Sequence, residues 1–290
     1  LATILIPFLY KKWGHRIHTG WFVVFVPLTI FISLLLYLPE ISNGNFIATS
    51  MPWIPSLGIN LDLYLDGLAL MFALIISGIG VLVVIYSIFY MSKEREALHN
   101  FYIYLLLFMG AMLGLVISDN VLALYTVWEL TSISSFLLIA YWYERKKSRA
   151  GALKAMLITV FGGLMMLAGL IMLAMIADTY SIREMIASVD LIQDSYLFIP
   201  AMILLLLGAF TKSAQFPFSI WLPDAMEAPT PISAYLHSAT MVKAGIYLVA
   251  RMTPIFGGHS LWFWLVAGIG LLTLLYGSLR AVRQTDLKAL

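Results

Sequence analysis

The 290-residue sequence contains no cysteine, and only 11% of its residues are charged. The absence of cysteine excludes disulfides, thiol catalysis and cysteine-ligated metal or iron–sulfur sites within this chain. A soluble domain carries about 25% charged residues, so this chain cannot cover itself with a solvated surface. Because 62% of its residues are hydrophobic, the composition predicts an integral membrane protein.

The sequence also has little of what nucleic-acid binding or intramembrane catalysis requires. Its net charge is only +2, and its basic residues lie in short clusters between apolar runs, which does not support nucleic-acid binding. At membrane depth there is no Ser/His/Asp, paired-aspartate or HExxH arrangement, so an enzyme is poorly supported. No metal site can be identified from the sequence.

What the sequence does contain is a series of apolar runs, which predict nine membrane-spanning helices because one span needs about 20 residues. The runs are 1–10, which is shortened, 21–38, 65–90, 101–117, 121–143, 155–177, 197–210, 232–252 and 261–279. The first run lacks a preceding basic cluster, so we expect a helix trimmed at its start rather than a signal peptide. Residues 39–65 predict an external loop or hairpin, and 178–195 a short surface helix.

The distribution of basic residues gives this arrangement an orientation. Thirteen of the 17 lysine and arginine residues fall on one side of it: Lys11, Lys12, Arg16, Lys93, Arg95, Arg145, Lys146, Lys147, Arg149, Lys154, Arg280, Arg283 and Lys288. The other side receives Arg183 and Arg251 among acidic residues. The positive-inside rule therefore predicts an external N-terminus and a cytoplasmic Leu290.

Four ionisable residues fall within or beside apolar runs: Glu129, Lys212, His237 and Lys243. A charge at the bilayer centre costs about 2.5 to 3.5 kcal/mol on insertion scales, so such residues are expected to face protein or water. They could form a proton relay, or they could be structural partners that only hold helices together. In a relay, a carboxylate about 7 Å from a lysine stabilises the charged lysine by about 2.4 kcal/mol at a dielectric of about 20. Moving the carboxylate closer therefore favours uptake of a proton, and moving it away favours release.

The segment "TKSAQFPFSIWLPDAMEAPTP", residues 211–231, directly follows the seventh run and contains four prolines. Proline cannot donate a backbone hydrogen bond, and broken backbone at membrane depth is tolerated only beside a polar cavity or protein. The segment predicts a discontinuous helix that opens next to Lys212. The alternative is an inner loop with Trp221 at the membrane interface and with Asp224 and Glu227 in water.

The run "FTKSAQFPFSIWLPDAMEAPTPISAYLHSATMVKAGIYLVAR", with "WEL" upstream and "QTDLKAL" at the end, resembles a known family. It is similar to the antiporter-like subunits of respiratory complex I, membrane-bound hydrogenases and Mrp-type Na+/H+ antiporters. Within that group it looks most like the A-type subunits of bacterial Mrp antiporters. The lysine in "MVKAG" favours them, because the complex I relatives tend to have an uncharged residue there.

The resemblance implies roles for individual residues. The glutamate of "WEL", Glu129, would pair with Lys212 of the broken helix. His237 of "LHSAT" and Lys243 of "MVKAG" would belong to a central polar chain, and Lys288 of "TDLKAL" matches a lysine near the start of the next repeat. Ser213, Ser238 and Thr240 are expected to hold linking waters, on their polarity alone.

The resemblance also implies an all-α membrane fold, the first half of an inverted-repeat architecture. Residues 1–100 would form three N-terminal helices, 101–258 the first five-helix repeat with its discontinuous seventh helix, and 259–290 a connecting helix and the start of a second repeat. The sequence is expected to be a fragment.

The implied function is a subunit of a multisubunit complex that exchanges Na+ for H+ across the bacterial inner membrane, without an organic cofactor. The alternative is a proton-pumping subunit of complex I or a hydrogenase.

Overall fold

The computed structural model describes residues 2–13, 17–54, 59–92, 97–285 and 288. The predicted basic residues Arg16, Lys93 and Arg95, and the predicted cytoplasmic residue Leu290, lie outside these ranges.

Helices make up most of the described chain. They are α1 (Ala2–Trp13), α2 (Gly20–Val23), α3 (Phe25–Leu36), α4 (Leu38–Ser42), α5 (Gly67–Tyr90), α6 (Leu98–Ile117), α7 (Val121–Ile139), α8 (Lys146–Ala177), α9 (Ile182–Ala187), α10 (Val189–Gln193), α11 (Phe198–Lys212), α12 (Leu222–Ala225), α13 (Thr230–Ser233), α14 (Met241–Phe256) and α15 (Ser260–Ala281). Short 3-10 turns cover Ala140–Trp142 and Phe218–Trp221, and a π-helical turn covers Ala234–Ala239.

Five helical stretches in the described residues are long and apolar enough to cross a membrane: Gly67–Tyr90, Leu98–Ile117, Val121–Trp142, Lys146–Ala177 and Ser260–Ala281. Shorter apolar stretches cover Gly20–Leu36 and Phe198–Lys212. Helices are expected in these runs because lipid offers no hydrogen-bond partner to an open backbone. Every predicted span overlaps a helix, while the count of nine spans remains a prediction.

Helix α8 is longer than the sixth predicted span, which it contains. The sixth span was expected to begin at residue 155, but α8 begins at Lys146 and is about 48 Å long. Apolarity locates only the part inside the hydrocarbon core, which is about 30 Å thick. Lysine, arginine and alanine are strong helix formers, so the helix also includes the basic cluster that precedes the apolar run.

The region between α4 and α5 is a hairpin, as one of the two sequence alternatives predicted. Strands β1 (Ile47–Ile54) and β2 (Ile59–Leu65) pair antiparallel, with Ile47 opposite Leu65. The hydroxyl of Ser50 donates to the Asp62 carboxylate at 2.5 Å. The predicted surface helix is also present, as the two short helices α9 and α10.

Helix α8 runs through the core against α7 and antiparallel to α11. At Gly169 an added Cβ would lie 2.9 Å from the Ala201 carbonyl oxygen, and at Gly208 it would lie 2.5 Å from Cβ of Met166. At Gly162, the midpoint of α8, it would overlap Oγ1 of Thr211. These close approaches place the end of α11 opposite the middle of α8.

Ion pairs join the elements at the end of the bundle that carries the hairpin. Arg251 of α14 donates two hydrogen bonds to Asp66, at 2.6 and 2.9 Å, and Asp66 also caps α5 through the amide of Ala69. Burial opposes ionisation of Asp66, but the bonds from Arg251 and Ala69 outweigh it and hold its pKa below the usual value. The hydrogen bond from Arg183 to Asp119, at 2.9 Å, raises the pKa of the Arg183 guanidinium.

Candidate functional site

The break after α11 is built by a backbone cap. Helix α11 ends at Lys212, and Ala214 adopts a left-handed conformation with φ of 51°. The amide of Gln215 donates to the carbonyl of Phe210 at 2.9 Å, and that of Ala214 to Thr211 at 3.4 Å. This is the pattern of a Schellman cap, in which glycine is usual at the left-handed position.

A side chain from beyond the break stabilises the opened end. Nε1 of Trp221 donates to the carbonyl oxygen of Thr211 at 3.0 Å, and the indole is fully buried. The carbonyl groups in the last turn of a helix have no partner within the helix. Trp221 satisfies one of them without water. It is therefore part of the protein interior and not the interfacial residue of the loop alternative.

The ammonium group of Lys212 lies in the protein interior, near the middle of α8. The residue has no exposed surface, and its Nζ donates to Oγ of Ser132 at 2.7 Å and to the carbonyl oxygen of Trp128 at 3.3 Å. Nζ also lies 5.3 Å from the centroid of the Trp128 ring. Uncharged oxygens and an aromatic face thus stabilise the cation.

Glu129 lies on α7 between the two residues that bind Lys212, close enough to interact with it electrostatically. Its carboxylate packs on Gly163 of α8, where an added Cβ would overlap Oε1. Within the described part of the chain, Oε1 is buried without a hydrogen-bond partner, and the ion pairs do not include Glu129 with Lys212. Glu129 and Lys212 thus interact through space without a salt bridge, and the pairing implied by the resemblance stays a prediction.

His237 lies in the π-helical turn between α13 and α14, a local irregularity that is frequent at functional sites. Its ring centroid is 5.9 Å from that of Trp221. Both ring nitrogens are buried, and the ring interacts with the backbone of Ala225. Since Trp221 also bonds to Thr211, this indole lies between His237 and the Lys212 end of α11.

Lys288 approaches the same region from the end of the chain. Its Nζ donates to the carbonyl oxygen of Ala228 at 2.6 Å and interacts electrostatically with His237. The structure therefore brings Lys212, Glu129, His237 and Lys288 around the broken segment 213–229.

Lys243 was expected to face protein or water, and its place in a polar chain stays a prediction. Its side chain is exposed on α14, whereas Gly245 faces α11 so closely that an added Cβ would overlap the Ala209 carbonyl. Residues two apart on a helix point about 200° apart, so contact through Gly245 turns Lys243 outward.

The three hydroxyl residues predicted to hold waters bond to their own helices. Ser213 donates to the Ala209 carbonyl at 2.5 Å, and Thr240 to Tyr235 at 2.6 Å. Ser238 donates to Ala234. Each hydroxyl keeps its acceptor capacity, so the prediction that they bind linking waters stands as a prediction.

The acidic residues of the broken segment occupy the basic end of the bundle. Asp224 is exposed and pairs with Lys154 of α8 at 2.7 Å. An added Cβ at Gly151 would overlap the Asp224 carbonyl, so the segment after the break continues alongside α8. One part of the loop alternative, a solvated Asp224, is confirmed together with the discontinuous helix.

Ser132 and Trp128 are site residues that the sequence did not reveal. The two residues lie in "VWELTS", one before and three after Glu129, and so share a face of α7. That periodicity was the available signal, but it does not say which face meets Lys212. Within the described residues, no group of three His, Asp or Glu side chains is placed to hold a metal ion.

The fold and this site define the class: a multi-pass helical membrane protein with a discontinuous helix and buried ionisable groups beside the break. A sequence profile described as "NADH:quinone oxidoreductase/Mrp antiporter, TM" matches residues 118–290, and one described as "NADH-Ubiquinone oxidoreductase (complex I), chain 5 N-terminus" matches residues 52–102. The chain belongs to the NADH:quinone oxidoreductase/Mrp antiporter membrane-subunit family. This finding confirms the resemblance read from the sequence.

Among its curated relatives are the A-type subunits of Na+/H+ antiporters, 64% identical in Alkalihalophilus pseudofirmus and 62% identical in Bacillus subtilis. Both comparisons cover the whole chain but only 36% of each relative. The chain thus spans about a third of the length of the curated relatives it matches.

The predicted fold class is confirmed by a solved Mrp complex from Dietzia sp. DQ12-45-1b, with a TM-score of 0.88 and 36% identity over 99% of this chain and 31% of that one. An archaeal membrane-bound sulfane sulfur reductase has the same fold, with a TM-score of 0.86 and 23% identity over 99% of this chain and 58% of that one.

Proposed function

We propose that the chain belongs to a subunit of a multisubunit Mrp-type antiporter that exchanges Na+ for H+, and that Lys212 carries the proton. The relatives are named as components of Na+/H+ antiporters, which favours this function over a redox-driven pump of the complex I or hydrogenase type. The other subunits of the complex are the proposed partners, and this one would act as a transporter rather than an enzyme.

The observation that carries the proposal is the environment of Lys212. Its ammonium is fully buried at the mid-membrane end of a broken helix and bonds to Ser132 and Trp128 rather than to a carboxylate. A purely structural cation would be expected to have a carboxylate partner, as Arg251 has in Asp66. Intramembrane ionisable residues without such a partner mark ion paths or proton relays.

Glu129 would act as the modulator of this lysine. Its Oε1 lacks a hydrogen-bond partner, so no hydrogen bond at this atom would have to break for the carboxylate to approach or withdraw from the ammonium. Approach favours the charged form of the lysine, and withdrawal favours release of its proton. Such a movement converts a conformational change elsewhere in the complex into proton transfer.

His237, Lys288 and Lys243 would continue the relay. The buried ring of His237, beside Trp221 and Lys288, could accept a proton that leaves the Lys212 end of the break. Lys243, exposed on α14, would join the relay where another part of the protein covers that helix.

We also propose that residues 101–258 form one five-helix repeat. Five units in this range would cross the membrane: α6, α7, α8, the broken unit that begins with α11, and the unit from α13 to α14. Residues 1–100 would contribute three helices before it, and residues 259–290 a connecting helix and the start of the next repeat. The basic ends of these helices would face the cytoplasm across the bacterial cell membrane.

The test uses the full-length subunit in its native complex, assayed in inverted vesicles with a pH-sensitive dye. We expect Lys212→Ala and Glu129→Gln to abolish Na+-driven proton release while the complex assembles normally. Lys11→Ala, which removes an exposed lysine, is the matched control and should retain exchange.

Unimpaired exchange by an assembled Lys212→Ala complex would show that the buried charges only hold helices together. Flavin or iron–sulfur proteins among the native partners would instead support the redox-driven alternative. Repeating the assay with K+ and Li+ identifies the cation.

A further inference from the structure

A cleft of about 880 Å³ opens at the basic end of the bundle, where α6 begins, α7 ends and α8 begins. It lies apart from the Lys212 site and has no part in the relay proposed above. Its walls combine apolar side chains with two arginines, Arg145 and Arg149, and a cluster of aromatic residues.

The cleft is apolar at its deep end. Phe136 lies about one turn before the end of α7, and Leu153 lies about 10 Å along α8 from its first residue. Tyr104, two turns into α6, completes this wall. Since these helices span the membrane, the cleft extends from the interface toward the hydrocarbon core.

The rim of the cleft is basic. The guanidinium of Arg145 lies 4.0 Å from the centroid of the Trp142 ring, and Nη1 of Arg149 donates to the carbonyl oxygen of Tyr143 at 2.5 Å. Neither arginine takes part in an ion pair among the described residues. Glu144 is an acidic residue on the same rim, and the exposed Lys146 and Lys147 follow it.

The start of α8 adds partial positive charge to this rim. No side chain in the described structure caps its first turn, so the amide groups there remain available to an acceptor. The dipole of a helix also favours an anion near its N-terminus. The rim above the apolar wall therefore carries positive charge from the two guanidinium groups and from the uncapped start of α8. Neither guanidinium takes part in an ion pair within the described chain.

We propose that this cleft binds an anionic phospholipid, with its phosphate at Arg145 and Arg149 and one acyl chain along Phe136 and Leu153. The cleft has positive charge at its rim and apolar surface at its deep end, which matches the headgroup and acyl chains of a lipid at the interface. Basic pockets between membrane helices are suited to anionic headgroups. A soluble phosphate would not use the apolar wall. Trp142 and Tyr143 would lie at headgroup level, where amphipathic aromatic side chains are enriched.

The test compares lipid binding by the native complex with that of an Arg145→Gln/Arg149→Gln variant of the full-length subunit. After delipidation, the complexes are titrated with phosphatidylglycerol or phosphatidylcholine, and bound lipid is counted by native mass spectrometry. We expect the variant to bind one phosphatidylglycerol about 25-fold more weakly, because it removes two charges and each charge near an anionic surface contributes about a fivefold effect.

The matched control is Arg280→Gln/Arg283→Gln, which removes the same charge from the predicted same side but away from the cleft. It should leave phosphatidylglycerol binding unchanged, and Glu144→Gln should strengthen it by removing a repulsive carboxylate. The single variant Arg145→Gln keeps the hydrogen bond from Arg149 to Tyr143. It therefore tests the loss of charge even if the double variant misfolds.

Equal binding of phosphatidylcholine, or an unchanged affinity in both cleft variants, would overturn the proposal. So would displacement of the lipid by inorganic phosphate alone, or a cross-link from the cleft to another protein of the complex in place of lipid.

Discussion

At the scale of single residues, the polar neighbours of Lys212 decide how its charge is held. Hydroxyl and carbonyl oxygens accept its hydrogen bonds, while the nearby carboxylate of Glu129 lacks a bond to Oε1. An ammonium bound by uncharged acceptors can lose its proton without breaking a direct ion pair. This arrangement is suited to a group that must alternate between two protonation states.

Ser132→Ala tests the hydroxyl that accepts from Lys212. A hydrogen bond to a charged group contributes about 1.5 to 3 kcal/mol, so its loss should slow Na+/H+ exchange by about tenfold to a hundredfold. Exchange in vesicles measures the effect, and Ser132→Thr should restore most of the rate because it keeps the hydroxyl.

The matched control is Ser134→Ala. Ser134 is also buried on α7, but its hydroxyl donates to the carbonyl of Leu130 at 2.6 Å and does not contact Lys212. Equal losses in the two alanine variants would mean that Ser132 acts through helix packing alone.

The sequence predicted Lys212, Glu129 and His237 as site residues, and the structure places them around one break. It did not predict Ser132, because a serine within an apolar helix is common and gains its role only from the register between α7 and α11. Lys243 was expected to face protein or water, and no sequence pattern stated which side of α14 meets α11; its side chain is exposed in the structure.

At the scale of elements, glycines let α8 and α11 approach closely enough to bury the break. Gly162→Ala should push a methyl group into Thr211, beside Lys212. Overpacking of this kind costs about 1 to 3 kcal/mol, so we expect a lower unfolding temperature and slower exchange.

Gly110→Ala on α6 provides the comparison, because an added Cβ there meets nothing within 4 Å. Alanine is favoured over glycine inside a helix, so this variant should be neutral or slightly stabilising. If both variants unfold at the same temperature as the parent protein, the glycine contact does not position α11.

The ion pair between Arg251 and Asp66 ties α14 to the start of α5. Arg251→Gln should destabilise the protein by about 1.5 to 3 kcal/mol, because it removes charged hydrogen bonds from a largely buried site. The pKa of folded Asp66 is lowered, so the pair stabilises fully above the usual carboxyl value of 3.8 and loses this effect as pH falls through the lower folded value.

Thermal unfolding of the detergent-solubilised complex between pH 3 and 7 measures that dependence. Arg251→Gln should flatten the acid limb of the curve, and Asp66→Asn should do the same while keeping the cap on Ala69. Independent, additive losses from the two substitutions would contradict a direct coupling.

At the scale of the whole molecule, the distribution of charge predicts how the bundle lies in the membrane. Lys147 lies at the basic end, and the exposed Tyr196 lies in the loop before α11 at the other end. In a cysteine-free full-length subunit, Tyr196→Cys should react with an impermeant maleimide in intact cells, and Lys147→Cys only after permeabilisation.

Reaction of both sites after permeabilisation is the control for accessibility. The reverse order of labelling would invert the proposed orientation but leave the fold unchanged, since packing within the bundle does not depend on which face is cytoplasmic.

The sequence by itself determined the membrane class, the positions of the helices and which ionisable residues are candidates for the site. It could do so because composition, apolar runs and the motif around Lys212 are local properties. Only the tertiary structure decided that Ser132 and Trp128 bind Lys212, that Trp221 is buried, and that Lys243 is exposed. The physical reason is that such contacts depend on the rotation and depth of each helix. These are set by close approaches such as Gly162 to Thr211, which join residues far apart in the chain.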